Sequence, residues 1–305
     1  QGMRGIKMPR EHGLLEEYKN NGLQGVAKRL AYYLPNHYVI HQVKTTELSY
    51  GLNNIETREK HIIVSLTSYP ARLPNIYLCL KSLLLQTVKP DKIILWFGCD
   101  TKRENLTQDM LDLEQYGIEY RFDEKNNIKP HKKYYYAMRE FPDDIIITVD
   151  DDVVYPPRTI ESLMKSYRRH PNAVSARRVH QITFEKDGRV APYEKWKKEF
   201  RKEKEESSAL IAVGVGGVLY PPHCLDQRAF DIDKIQELCI GADDIWLKCM
   251  EVLKNTKVVW VPCFFAHPPA LAITDSLWQG NVTGDRNDFY FKNVFEFYSA
   301  KIERK

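Results

Sequence analysis

The sequence predicts an α/β protein: a mostly parallel, Rossmann-like sheet flanked by helices, with an N-terminal extension and a C-terminal helix. Three observations predict it. Stretches of strand length, apolar at His61 to Leu66 and Lys92 to Phe97 and alternating at Ile118 to Phe122, take turns with stretches of helical periodicity, the rhythm of βαβ units. A further run, Ile145-Ile146-Ile147-Thr148-Val149, is β-branched with Thr148 as its one polar break, as a strand buried on both faces is. That run ends in Asp150-Asp151-Asp152, at the strand end where open α/β sheets place their ligands.

The elements follow in order. Leu14 to Tyr33 has helical spacing and Pro35 is expected to end it; His37 to Leu52 alternates in patches and reads as a strand or arm. Residues 1–60 are therefore taken as an extension packed on the main body. Segment 61–152 opens with the His61 strand, broken by Thr67-Ser68-Tyr69-Pro70. Leu73 to Gln86 is an amphipathic helix with Ile76, Leu80, Leu83 and Leu84 on one face. After the Lys92 strand comes a helix over Asn105 to Tyr116, with Gly117 where a left-handed cap belongs. The Ile118 strand, a helix over Lys129 to Glu140 and the acidic strand complete this half. In segment 153–305 the pattern loosens. A helix over Arg158 to His170 precedes a strand over Val174 to Thr183. Tyr193 to Ser208 reads as an exposed helix or loop, and Leu210 to Leu219 as a strand carrying Gly214, Gly216 and Gly217, where a backbone or ligand comes close. Gly241-Ala242-Asp243-Asp244 opens a helix through Leu253, Lys257 to Val261 is a last strand, and Asn287 to Lys305 a closing helix.

Composition bounds the function. The chain has 305 residues, 43% hydrophobic and 28% charged, an ordinary globular composition. A net charge of +4 carries no nucleic-acid signature and does not oppose an anionic substrate or membrane. The six cysteines are scattered without a CxxC pair, which excludes a zinc or redox spacing and suggests buried, reduced thiols. With no signal peptide and no apolar run of the roughly 20 residues a spanning helix needs, the expected location is the cytoplasm, with peripheral contact at the inner face of the membrane.

Three adjacent carboxylates repel one another unless a cation sits with them. A divalent metal, whose hard-cation chemistry takes carboxylate oxygens, is the natural occupant. The competing reading is a solvated acidic turn capping the next helix.

The order of features resembles a GT-A type, family 2-like glycosyltransferase of bacterial surface polysaccharide synthesis. The resemblance spans about 61 to 270. It is carried by Ser65-Leu66-Thr67-Ser68-Tyr69-Pro70-Ala71-Arg72, Lys132-Lys133, Thr148-Val149-Asp150-Asp151-Asp152, Gly214-Val215-Gly216-Gly217, Ala242-Asp243-Asp244-Ile245-Trp246 and His267. It implies transfer of a sugar from a UDP-sugar donor to a hydroxyl of a glycan or lipid-linked acceptor. Residues 61–152 then form the nucleotide-binding half and 153–305 the acceptor-binding half. Mn2+ or Mg2+ is the implied cofactor, on Asp150 and Asp152 with His267 as third ligand. Thr67, Ser68, Tyr69 and Arg72 would line the base and ribose, with Tyr69 stacking on uracil. Lys132 or Lys133 would offset phosphate charge, the other being solvated. Asp151 would point away or bind donor-sugar hydroxyls, and Gly216 and Gly217 would lie against the donor. Arg177, Arg178 and His180 reach phosphate or acceptor, or pair structurally. In inverting members an acid at the later helix start is the general base. The family commonly has Glu-Asp where this chain has Asp243-Asp244, so the base is one of these two; the offset from Gly241 favours Asp243, and Trp246 would floor the acceptor site or join the core. A nucleotidylyltransferase is also α/β but wants a Gly-rich phosphate loop after strand one, which Thr67-Ser68-Tyr69-Pro70 lacks, and two further readings compete. A phosphohydrolase of the haloacid dehalogenase type would use Asp150 as nucleophile, and a catalytically inactive scaffold would bind no donor.

Overall fold

The computed structural model describes residues 22–24, 34–202, 205–262, 271 and 286–303. Four parallel strands build its first half: β1 (Ile62–Thr67), β2 (Lys92–Phe97), β3 (Ile118–Phe122) and β4 (Ile145–Thr148). The second half adds β5 (Val174–Ala176), the paired ribbon β6 (Val179–Gln181) and β7 (Leu210–Ala212), then β8 (Val218–Tyr220) and β9 (Val258–Trp260). The main sheet has seven strands in the order β3-β2-β1-β4-β8-β5-β9. β8 alone runs antiparallel, between β4 and β5; β9 is parallel to β5. The sheet is thus mostly parallel, as predicted, and both halves of the chain contribute strands to it.

Strand alternation sorts the core into two layers. Ile62, Val64, Leu66, Ile93, Leu95, Phe97, Ile145 and Ile147 face one layer, with helices α1 (34–45), α2 (Tyr77–Leu84) and α5 (Thr159–Tyr167). On the other face Ile63, Ile94, Trp96 and Ile146 pack on Ala137 of α4 (Lys132–Glu140), after the short α3 (Gln108–Leu111). Further along that face, Val218 and Tyr220 join a cluster with α6 (Ile232–Leu238), α7 (Asp243–Lys254) and α8 (Arg286–Phe297). β1, β2 and β4 are thereby buried on both sides, which is why each reads as an apolar run, whereas β3 at the sheet edge alternates and is mostly half-buried.

Several expectations change. Of the predicted helix Leu14 to Tyr33, only residues 22–24 are described, and they are helical. Pro35 does not end a helix: residues 34–45 are helical on both sides of it, so His37 to Leu52 begins as helix and not as a strand. Val39, Ile40 and Val43 of α1 are buried in the main core. The helix over Asn105 to Tyr116 is broken into two 3-10 turns and α3, ending at Gly117 with φ 113°. The described part of Tyr193 to Ser208 is a loop and not an exposed helix, and it is tied to the body. It holds one 3-10 turn (Tyr193–Lys195), buries Trp196, and bonds Lys197 to Gln181 of β6 backbone to backbone. The strands over Val174 to Thr183 and Leu210 to Leu219 each split in two, at Arg177-Arg178 and at the 3-10 turn Gly214–Gly216. These two breaks stand side by side: Val213 N–H donates to Arg178 O. Cys99 is exposed, against the expectation of buried thiols, while Cys79, Cys224, Cys239 and Cys249 are buried.

Candidate active site

The three aspartates leave β4 in different directions. Asp150 is anchored at its backbone, where its N–H donates to Tyr155 Oη at 2.8 Å, and its half-buried carboxylate accepts from Lys133 Nζ at 2.7 Å. Asp151 turns inward. Ser68 Oγ donates to its Oδ2 at 2.5 Å and the Arg72 guanidinium holds Oδ1. Burial still keeps the Asp151 carboxyl above its ordinary range, against the pull of Arg72 and Ser68. Asp152 turns out again. Its Oδ2 lies 3.4 Å from Arg72 Nη1, and its Oδ1 is buried with no hydrogen-bond partner. Burial and then Asp150 push its carboxyl up to about 6, with Arg72 opposing. Serine and arginine from the β1 loop therefore neutralise the middle acid, leaving the outer two to crowd each other.

The second acidic pair comes from the start of α7, where the helix dipole favours negative charge. Asp243 is buried and its Oδ2 lies 2.9 Å from Lys133 Nζ. Burial raises its carboxyl, but Lys133 and His131 more than offset this and hold it below the ordinary range. Asp244 is half-buried and its Oδ2 accepts from Gly214 N–H at 3.4 Å. Burial, then Asp243 and Asp150, push its carboxyl well above the usual range, with Lys133 opposing. Lys133 thus stands between the acids of β4 and those of α7. Burial lowers its ammonium affinity for protons, and Asp150, Asp243 and Asp244 reverse this. The glycines explain how such charges can approach. A Cβ on Gly214 would lie 3.1 Å from both Asp150 Oδ1 and Lys133 Nζ, and Gly217 needs its φ of 88°. A Cβ on Gly216 would lie 3.2 Å from Arg178 N.

The other predicted residues fall as follows. Ser68 and Arg72 are buried against Asp151, so they brace the acid loop. Thr67 Oγ1 donates to Trp96 O at 2.8 Å. Tyr69 is half-buried with the Arg72 guanidinium 5.2 Å from its ring centre. Neither lysine of the pair is solvated: Lys132 is buried with its Nζ 2.7 Å from Asn127 Oδ1, and Lys133 is the bridge just described. Trp246 is core and not an acceptor floor; it is fully buried and Nε1 donates to Ala229 O at 3.2 Å. Arg177 donates to Thr159 Oγ1 at 2.5 Å, His180 is buried with Nδ1 accepting from Glu199 N–H, and Arg178 lies 3.3 Å from Glu199. His267 lies outside the described residues. Sequence reasoning missed Tyr155, whose hydroxyl pins the Asp150 backbone, and Asn127 with Asp100, whose Oδ2 accepts from Asn127 Nδ2 at 2.8 Å. A Pro-Pro stop right after Tyr155 signalled only a turn.

Among the described residues no three His, Cys, Asp or Glu side chains converge as a ready-made metal cage. Asp150 and Asp152 nevertheless fit a hard divalent cation that takes the rest of its shell from ligand oxygens and water. The unpartnered, buried Asp152 Oδ1 is the observation that supports this fit.

The profile of Glycosyl transferase family 2 matches residues 63–218, half of the chain, from β1 to β8. No curated protein matches the chain. Among solved structures, the mannosyltransferase PcManGT from Pyrobaculum calidifontis, in complex with GDP-Man and Mn2+, shares the fold with a TM-score of 0.53 at 11% identity, over 91% of this chain and 76% of its own. Glucosyl-3-phosphoglycerate synthase from Mycobacterium tuberculosis, with Mn2+, UDP and glucosyl-3-phosphoglycerate, gives a TM-score of 0.31 at 13% identity, over 43% of this chain and 51% of its own; the fold assignment rests on the first of the two. The sheet is that of GT-A glycosyltransferases, and by its family profile the chain belongs to glycosyl transferase family 2.

Proposed function

We propose that this glycosyltransferase moves a sugar from a UDP-sugar to a hydroxyl of a glycan or lipid-linked acceptor, with inversion, in the building of a bacterial surface polysaccharide. The observation that carries the reading is the bridge Asp150–Lys133–Asp243, which brings the acids ending β4 and the acids opening α7 to one point. A donor site and a deprotonating group must meet in that way for direct displacement at a sugar carbon.

Asp150 and Asp152 would hold Mn2+ or Mg2+, which when bound acts as a Lewis acid for the charge developing on the leaving diphosphate. The chain's own groups do the rest. Ser68 and Arg72 keep Asp151 inward, so that the outer two carboxylates keep their spacing. Lys133 adds fixed positive charge beside Asp150. At the ends of β2 and β3 the exposed Asp100 carboxylate, with Asn127 and Lys132 behind it, offers acceptor and donor groups of the kind a uracil edge pairs with. Asp244 takes the acceptor proton. Its carboxyl is held high by burial and like charge, and it is partly open, whereas Asp243 is closed off by its ion pair with Lys133. This reverses the preference for Asp243 drawn from spacing alone. The phosphohydrolase alternative gains nothing here, because the acidic strand is the fourth in the chain and the matched family is one of glycosyl transferases.

Calorimetric titration with UDP, with and without Mn2+, tests the donor site on wild type and Asp152→Ala. Binding that needs Mn2+, exceeds that of GDP and is lost in the variant is expected. Equal UDP binding by both proteins, or binding indifferent to Mn2+, would remove the site from the β4 acids.

A further inference from the structure

A second charged cluster stands next to Asp244, and nothing in the donor chemistry uses it. Its floor is the Tyr193 ring, half-buried, whose hydroxyl lies within electrostatic reach of both Asp244 and Arg178. Lys198 Nζ sits directly over that ring, 2.9 Å from its centre. Among the described residues no carboxylate lies within ion-pair distance of Lys198. Burial and then the opposing Arg178 charge push its ammonium down to about 8, although Asp288 pulls the other way. Asp288 itself is engaged, since its Oδ1 accepts from Tyr193 N–H at 2.7 Å. Arg178 is the second cation. Its Nε is buried without a hydrogen-bond partner, and one end of its guanidinium reaches Glu199 at only 3.3 Å, an acid that Arg201 shares at 3.4 Å. Arg178 is held in place by the backbone: its carbonyl accepts from Val213 N–H, one residue before the Gly214 N–H that bonds Asp244.

An arginine with a buried, unmade donor is costly unless an anion completes it, and the exposed Lys198 beside it, stacked on the ring without an acid partner, adds a second charge for that anion. We propose that this cluster is an acceptor subsite for an anionic sugar, its carboxylate or phosphate held by Lys198 and Arg178 while a neighbouring hydroxyl faces Asp244. The proposal rests on the reading of Asp244 as the acceptor-side base, and it names the class of acceptor: acidic rather than neutral.

The test is ligand-observed NMR titration with methyl glucuronide, glucose 6-phosphate and neutral methyl glucoside, each run with and without UDP and Mn2+. Wild type, Lys198→Gln and Lys198→Glu are compared. At least one anionic sugar should bind about tenfold or more tightly than the neutral glucoside, the worth of a charge-assisted contact. Lys198→Gln should erase the preference and Lys198→Glu invert it, with UDP affinity unchanged. Preference for the glucuronide points to a uronic acid acceptor, and preference for the phosphate to a phosphorylated one. Equal binding of all three sugars, or no sugar binding, overturns the proposal. So does a loss of UDP affinity in Lys198→Glu, which would assign the cations to the leaving group. Absent UDP binding in wild type would instead sink the donor reading and leave the sugar comparison to stand by itself.

Discussion

Asp243 and Asp244 are neighbours in sequence with opposite surroundings, because adjacent helical residues point about 100° apart. Asp243 faces Lys133 in the interior and Asp244 faces the Gly214 loop. Asp244→Asn should therefore cut turnover by at least 100-fold, the scale of a lost general base, while leaving UDP affinity intact. Asp243→Asn should instead act through folding. It leaves Lys133 with one partner fewer in a buried site, a loss of about 3 kcal/mol for a broken buried pair; denaturant melting and steady-state kinetics on both variants separate the two. An Asp243→Asn protein that is fully stable but inactive would exchange the assignments. Asp152 carries a pH prediction. Its folded carboxyl, near 6 against an ordinary 3.8, binds more protons in the native than in the unfolded state between those values. Metal-free stability from this group is thus present at low pH and lost as pH rises from about 4 through 6. Asp152→Asn removes that loss, so its melting temperature should gain on wild type across this window, and added Mn2+ should raise wild type alone. A constant difference across the window would show that the crowding is absent. The residues themselves were legible as acids at a strand end. Their division of labour was not, since the lysine that decides it arrives from a helix remote in sequence.

At the scale of elements, apolar runs marked β1, β2 and β4 to within a residue or two, because strands buried on both faces leave an unambiguous pattern, and alternation marked the edge strand β3. Two segments misled, each for its own reason. The helical spacing of Asn105 to Tyr116 is cut by 3-10 turns, and Tyr193 to Ser208 looked solvated because its charges hide how Trp196 anchors it, with Nε1 on Ala191 O at 2.8 Å. The glycine run was read correctly as a place of close approach, and the structure names what approaches: the Asp150–Lys133 pair against Gly214. Gly214 has no left-handed φ, so alanine costs no backbone strain there; its Cβ presses on the ion pair. Gly214→Ala should therefore weaken Mn2+-dependent UDP binding several-fold with a modest loss of stability, about 1 kcal/mol of overpacking. Unchanged UDP binding in that variant would mean that the Lys133–Asp150 geometry does not matter to the donor.

The whole molecule rests on one sheet with a hydrophobic layer on each face, and the acids lie where the two halves of the chain meet, between β4 and the β7–β8 turn. Helix α1 is the part of this architecture the sequence hid best. Its Pro35 reads as a stop, and its buried side chains are spaced among His37, Tyr38 and His41, which face outward. Yet Val39 and Val43, one turn apart, are each 1% exposed and belong to the same core as β1 and β2. If the extension is part of one cooperative body, its packing must be felt globally. The pair Val39→Ala/Val43→Ala removes buried methyl groups with little room for collapse, at a cost of about 3 kcal/mol. One unfolding transition, shifted down by several degrees, is expected by calorimetry, with UDP affinity unchanged because Val39 and Val43 are core side chains and not among the charged groups of the site. An unshifted main transition, or a separate early one in wild type that the variant abolishes, would show instead that the extension folds apart from the sheet it lies on.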